Sequence, residues 1–325
     1  MGRKGKALAA AFSFTAMLLG ASLAVSASFP SQAIRVVVGT GPAAPPDIIS
    51  RIIATELGES EGWKVIVENK TGAMQTLAGN DVARSSADGH SLWATSMPAT
   101  AAPALMRKLS IDLRKDFEPV VALAKSYNVL VVHPSVKANS FAELVQLLKS
   151  EPNKINYASG GNGTPAHLVA ELFKLETATT AAHVPYQNPG SMYGDLLSGT
   201  TQFSFVTSLP VVEHIKAGKL RALAVTSDRR LAALPDVPTV AELGYPALVL
   251  EAWSGLLAKA GTSKESIMAI NAAVNRALKK PSVISALAKV GADPMGGSPE
   301  DFAKLYESQI THWGDVVKRA GIKIE

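Results

Sequence analysis

The stretch "RVVVGTGPAAPPDIISRI", Arg35 to Ile52, opens on a β-branched run, passes through a turn with two glycines and ends on a helical pattern. Strand, glycine-bearing turn and helix in that order begin a βαβ unit, which places the chain in the α/β class. Gly39, Gly41 and Ala44 also spell G-x-G-x-x-A, and Glu68 follows the next strand-like run, so the stretch carries the outline of a dinucleotide-binding turn. Its prolines argue otherwise. In that motif the helix starts beside the second glycine, where its amides meet the pyrophosphate. Here Pro42, Pro45 and Pro46 offer no N–H, and Pro46 disfavours helix at the residue before it, so regular helix is expected to begin no earlier than Pro46. No nucleotide or other cofactor is expected, and a nucleotide-dependent enzyme is the remotest alternative.

Working outward, "KVIVEN" (Lys64–Asn69), "NVLVVH" (Asn128–His133), "INYAS" (Ile155–Ser159), "QFSFV" (Gln202–Val206) and "RALAVTS" (Arg221–Ser227) read as further strands with helices between them. Mostly parallel sheets follow from that alternation. Ser140 with Glu143, Thr262 with Glu265, and Ser298 with Asp301 have the spacing of helix-start capping boxes. "FEPVVALAKSYNVLVVH" (Phe117–His133) reads as two strands in quick succession, and "PALVLEAWSGLLAKAGT" (Pro246–Thr262) as a second extended stretch. Two such crossings predict one domain inserted in another: residues 125–248 within a domain made of 28–124 and 249–325.

The first thirty residues, "MGRKGKALAAAFSFTAMLLGASLAVSASFP", have the basic start, apolar stretch and small residues of a secretory leader, with cleavage expected after Ala27. Without cysteine there is neither a lipid-anchored lipoprotein nor a disulfide. The formal charge of +5, from 32 basic and 27 acidic residues, falls to +2 when the three leader charges at Arg3, Lys4 and Lys6 are removed. No basic block remains that would hold nucleic acid.

"GESEG" (Gly58–Gly62) matches the G-x-S-x-G of a hydrolase elbow, which needs a strand before the serine and a helix after it. The order here is reversed, so Ser60 is expected in an ordinary surface turn. The six histidines form no closely spaced pairs, so no metal site is expected. The remaining candidate is "INYASGGNGTPAHLVAELF" (Ile155–Phe173), where a strand runs through a flexible turn into a helix that Thr164 could cap with Pro165 behind it. Backbone amides bared at a helix start hold anions. One such turn in each domain, facing across a hinged cleft, could grip a small carboxylate.

The chain strongly resembles the Bug family, periplasmic substrate-binding proteins of tripartite tricarboxylate transporters. The likeness spans the mature chain and is carried by "ENKTGA", "ADGHSLW", "VVHPSV", "NYASGGNGTPAHLVAELF", "HVPYQNPGSMYGDLLSG", "IKAGKLRALAVTSDRRLAALPDVPTVAELGYP" and "WGDVVKRAGIKIE". The resemblance implies a type II periplasmic-binding-protein fold: two α/β lobes around a ligand cleft, joined by a two-strand hinge, with no catalysis. It implies a monomer that takes a small carboxylate and hands it to integral membrane permease subunits, with a sensing role toward a membrane receptor kinase as the alternative.

By position the resemblance carries Ser159, Gly161, Gly163, Thr164, His167, Tyr186 and Asp195 into the ligand site. His167, one turn inside its helix, is expected to orient the loop. Thr40, Gly41, Ser96 and Thr207 complete the candidate set. The first loop departs from the family pattern, with Ala43 and Ala44 where a glycine pair is usual; Asp47 is kept, either as a contact or as a first-turn acid favoured by the helix dipole. Alanine resists positive φ, so a different backbone path is expected there. Met74 and Gln75 also replace a common glycine pair, and Met74 is expected to narrow the pocket or give it an apolar wall.

Overall fold

The computed structural model describes residues 29–322, so the expected leader and its expected cleavage after Ala27 lie outside the described residues. The chain opens with β1 (Ile34–Val38), α1 (Pro45–Glu61), β2 (Val65–Asn69), α2 (Thr76–Ala83), β3 (Ser91–Ser96) and α3 (Met97–Leu105). A long strand, β4 (Phe117–Val132), leads to α4 (Phe141–Ser150), β5 (Asn156–Ser159), α5 (Pro165–Thr177), β6 (Ala182–Pro185), α6 (Pro189–Ser198), β7 (Phe203–Thr207), α7 (Ser208–Lys216) and β8 (Arg221–Val225). The return is β9 (Glu251–Lys259), α8 (Lys264–Ala277), α9 (Pro281–Ala288), β10 (Ala292–Gly296) and α10 (Pro299–Ala320).

Strand order runs β2-β1-β3-β9-β4-β7-β5-β6, with β8 and β10 also paired to β4. Up to Tyr127, β4 pairs with β9 and β10; from Asn128 it pairs with β7 and β8. One strand thus serves two sheets and two lobes. The expectation of two short strands here is corrected: "FEPVVALAKSYNVLVV" is a single strand of 16 residues, because β9 lies along its first half and β7 along its second. The sheets are mixed rather than mostly parallel. β1 with β2 and β3, and β5 with β6 and β7, are parallel, while every pairing of β4 and β9 is antiparallel.

Side-chain pattern explains the layers. In α1 the residues Ile49, Ile53 and Leu57 recur every fourth position and lie buried against β1 and β3, in a core completed by Ile270 and Val274 of α8. In α10 the stripe Phe302, Tyr306, Ile310, Trp313 and Val317 is buried, each side chain worth roughly 1.5–3 kcal/mol of transfer free energy. That stripe joins a core reaching from Trp93 and Met97 in the first lobe to Phe141, Phe173 and Phe205 in the second. The two lobes therefore share apolar packing on the α10 side, and Arg319 of α10 reaches Glu176 of α5 at 3.0 Å.

At the crossing, fully buried Thr226 ties both connections together: its Oγ1 accepts from Asn128 N at 3.1 Å and donates to Leu250 O at 2.9 Å. Its own N–H donates to Asn128 O, and Leu250 N–H donates to Thr226 O, both at 2.9 Å.

Some local expectations shift. The first helix begins at Pro45, one residue before the earliest start expected, because both prolines sit in its first turn, where missing N–H groups cost nothing. Ser60 lies in the last turn of α1, donating to Glu56 O, and not in a surface turn. Ser298 and Asp301 form a full capping box. Ser140 caps α4, but Glu143 answers to Asn139 N instead of the cap residue's own amide. The cap of α8 is Ser263, bonded to Ser266 N, and not Thr262. Among the described residues no helix is long and apolar enough to cross a membrane.

Candidate functional site

The parallel strands β1 and β5 run through a turn into a helix, and β3 and β7 run straight into one, so their C-terminal ends carry the candidate residues. In the first lobe the chain Gly39–Thr40–Gly41–Pro42–Ala43–Ala44 leads to α1. Ala43 holds φ 64°, so alanine does adopt the left-handed conformation expected to be avoided. Its N–H donates to Asp47 Oδ2 at 3.0 Å, and this contact fixes the turn. Asp47 is only 2% exposed. It also receives Arg51 Nε at 3.0 Å and Asn69 Nδ2 at 2.8 Å, while the same Asn69 amide donates to Thr40 O. Burial raises the Asp47 pKa, but the hydrogen bonds from Arg51, Asn69 and Ala43 outweigh it and hold the carboxyl below its usual range. Asp47 is thus engaged in shaping the first loop. Thr40 Oγ1 is buried with no partner.

The segment Ala73–Met74–Gln75 has φ of 47°, 51° and 73°, three successive non-glycine residues in the left-handed region, at a cost of roughly 1–2 kcal/mol each. Two anchors hold it there. Gln75 Nε2 donates to Ser96 Oγ at 2.6 Å and its Oε1 accepts from Ser96 N at 3.1 Å, a buried two-point contact at the start of α3. Thr76 Oγ1 donates to Ala73 O at 2.7 Å. A Cβ on Gly39 would stand 2.3 Å from Gln75 Cβ, so only glycine lets the first loop pass so close. Gly39, Gln75 and Ser96 therefore form one packed unit, which neither Gly41 nor Ala44 joins through any side-chain hydrogen bond.

Met74 reaches the other lobe. A Cβ on Gly163 would stand 2.4 Å from its Cε and 3.1 Å from its Sδ. The thioether thus lies directly on the second-lobe turn.

In that turn Gly161 and Gly163 have φ of 109° and 76°, so here glycine supplies the left-handed backbone. Ser159 Oγ lies 2.7 Å from His183 Nε2 and accepts from Gly161 N at 3.1 Å. Gly163 N donates to His167 Nδ1 at 3.1 Å, which gives His167 the loop-orienting role expected of it. The two imidazoles stack at 4.3 Å, and Tyr157 stacks on the far side of His183 at 4.8 Å. Burial lowers both histidines, His183 to about 4, with neighbouring His167 adding to the effect. The neutral His167 ring accepts from the Gly163 amide. Below them Glu171 takes the Tyr157 hydroxyl and Lys174.

Thr164 occupies the first cap position of α5 but does not cap it; its Oγ1 donates to Gly161 O at 2.7 Å. The first-turn amides of Ala166 and His167 therefore lack a side-chain acceptor. Tyr186 N donates to Ser159 O, joining the next turn to this one, and Tyr186 OH donates to Asp195 Oδ2 at 2.6 Å. Burial, then Asp195, raises the Tyr186 pKa to about 12. Thr207 ends β7 opposite Asn128 and begins α7, also without a side-chain cap. Among the described residues no hydrogen bond joins Asp195 or Thr207 to Met74 or Gly163.

The supports Asn69, Arg51, His183 and Tyr157 were not among the candidates. Asn69 and His183 stand inside the quoted motifs "ENKTGA" and "HVPY", and strand alternation next to a turn is the signal that could have found them.

Residues 49–322 match the profile of the tripartite tricarboxylate transporter family receptor. The chain belongs to that family. Similar to it is the protein BugT of Bordetella pertussis, 33% identical over 309 residues, covering 94% of this chain and 95% of BugT. Among solved structures, a protein of R. palustris with adipate is 31% identical at TM-score 0.80, covering 91% of this chain and all of that one. MatC of Rhodopseudomonas palustris, with bound malate, is 30% identical at TM-score 0.77, covering 89% and 100%. The Bug-type family and the periplasmic-binding-protein fold are thereby established, and the family is one of periplasmic solute-binding proteins, not enzymes.

Proposed function

We propose that this chain captures a small carboxylate between its lobes and presents it to the membrane subunits of a tripartite tricarboxylate-type transporter. The observation that carries this reading is the open helix start beside the second-lobe turn. Helices α5 and α7, which follow β5 and β7, have no side-chain cap, as is also true of α1, α2, α3 and α9, whereas α4, α6, α8 and α10 are capped by Ser140, Asn188, Ser263 and Ser298. At α5 the threonine in the cap position turns its hydroxyl away from the amides. An open helix start favours an anion, each such charge gaining about 0.3–1 kcal/mol from the helix dipole alone. The neighbours holding adipate and malate support the ligand class.

Lobes made of residues 28–124 with 249–325, and of 125–248, would close by bending where β4 and the Leu250 segment cross. Thr40, Gly41, Ala43, Ser159, Gly161, Gly163 and Thr164 are the contacts assigned to the ligand, with Met74 as wall. Export follows from a leader cut after Ala27, which N-terminal sequencing of the secreted protein would read as a start at Ser28.

The test is a thermal-shift and calorimetric screen of the mature protein against aliphatic and aromatic mono-, di- and tricarboxylates, with NAD as control. A ligand at 100 times its Kd stabilises by about 2.7 kcal/mol. A shift with a carboxylate and none with NAD is expected; silence across the whole panel sinks the reading.

A further inference from the structure

We infer that Met74 makes this cleft select a carboxylate whose far end is apolar over the dicarboxylate of the same carbon skeleton. The inference rests on the carboxylate-binding reading above and names the ligand class within it. Three observations carry it. Met74 Sδ and Cε lie on Gly163, so the space between the two turns is walled by a thioether where a second carboxylate would need donors. Just before α3 both polar groups of Ser96 are already engaged, because Gln75 Oε1 accepts the Ser96 N–H and Gln75 Nε2 donates to the Ser96 hydroxyl oxygen. Met74 is also held in place: it is the middle of three left-handed residues pinned on one side by the Gln75–Ser96 pair and on the other by Thr76 to Ala73.

Open polar groups lie at the buried, unpartnered Thr40 Oγ1 and at the uncapped first turns of α5 and α7, whereas Met74 brings only its thioether to Gly163. A ligand end that reaches the space beside Gly163 therefore meets an apolar wall. A carboxylate forced against the thioether would be desolvated without a partner, which is costly, whereas a methyl or ring edge there loses nothing and gains dispersion contact.

The test compares two matched pairs by calorimetry: hexanoate against adipate, and 4-methylbenzoate against terephthalate. Three proteins are used: the mature wild type, Met74→Gly and Met74→Gln. Glycine is at ease at φ 51°, so the first variant removes the wall without disturbing the fold. Glutamine keeps the length and adds donors. In the wild type the monoacid of at least one pair is expected to bind tenfold or more tightly than its diacid, with both variants shrinking or inverting that ratio. A wild type that prefers the diacids, or ratios that neither substitution moves, overturns the inference while leaving the carboxylate reading intact. Binding of none of the four acids to any of the three proteins, alongside a silent wider screen, removes the carboxylate reading and this inference with it.

Discussion

The two jaws of the cleft reach similar backbone shapes by opposite chemistry. In the second lobe the left-handed positions are glycines, Gly161 and Gly163, and the histidines beneath them hold the turn, His183 hydrogen-bonded to Ser159 Oγ and His167 accepting from Gly163 N. In the first lobe they are Ala43 and the run Ala73–Met74–Gln75, and side chains force the backbone into place: Asp47 holds Ala43 and Gln75 holds Ser96. One jaw is shaped by what its residues lack, the other by what its residues bond to. Substitutions should therefore hurt the second jaw by adding atoms and the first by removing bonds.

Gly163→Val is expected to have the largest effect. Valine combines an unfavourable φ of 76° with a Cβ placed 2.4 Å from Met74 Cε. Loss of 100-fold or more in ligand affinity is expected by calorimetry, about 3 kcal/mol. Adding Met74→Gly should restore only part of it, because relieving the contact leaves the backbone strain. Full restoration would mean that the φ of Gly163 is unimportant and would erase the contrast between the jaws.

Asp47→Ala comes next. It deletes a buried acceptor of bonds from Ala43, Arg51 and Asn69, at about 2–3 kcal/mol of unfolding free energy in urea titrations. Because its folded pKa is depressed, the wild-type advantage should be complete above the unfolded value near 3.9 and vanish as pH falls through the lower folded value. A variant as stable as wild type at pH 7 would show that the first loop does not depend on this network.

How far the chain could be read follows the same division. The second-lobe turn was legible because glycine advertises positive φ and Pro165 marks a helix start. The first-lobe turn was not, since nothing in Ala43, Met74 or Gln75 as residue types announces a left-handed backbone; only the spatial partners Asp47 and Ser96 impose it. The same limit applied to β4, whose continuity through Lys125 and Ser126 is set by pairing with Trp253 and Ala252 of β9, contacts 126 to 128 positions away in sequence. A series of different motifs in order revealed the family, and alternation of strands and helices revealed the class. Which strand joined which sheet depended on long-range pairing that neither pattern encodes.

The histidine support of the second jaw predicts acid sensitivity of a particular sign. His183 titrates near 4 in the folded state, against about 6.5 unfolded. Between those values the unfolded chain binds a proton that the folded chain refuses, so stability should fall as pH drops through that window, by on the order of 2–3 kcal/mol in all. His167, Glu171 and Lys174 share this cluster, so the comparison must be with His183→Gln, which keeps a polar partner near Ser159 and does not titrate. A flatter loss of melting temperature from pH 6.5 to 4.5 is expected in the variant; parallel curves would place the acid response elsewhere.

The smallest effect is expected at Ala43→Gly, and it tests the comparison most directly. At φ 64° alanine is disfavoured by about 1 kcal/mol relative to glycine, so glycine should relax the folded loop. Glycine also gives the unfolded chain more freedom to lose, about 0.4–1 kcal/mol in the opposite direction. The two nearly cancel, and the unfolding free energy should move by no more than roughly 0.5 kcal/mol. Asp47 would still receive the amide at position 43, so the loop path should persist. Ligand affinity should then stay within about threefold of wild type, or 0.65 kcal/mol. A large gain in affinity would instead mean that the alanine methyl obstructs the ligand, making the first jaw, like the second, a surface shaped by what its residues lack.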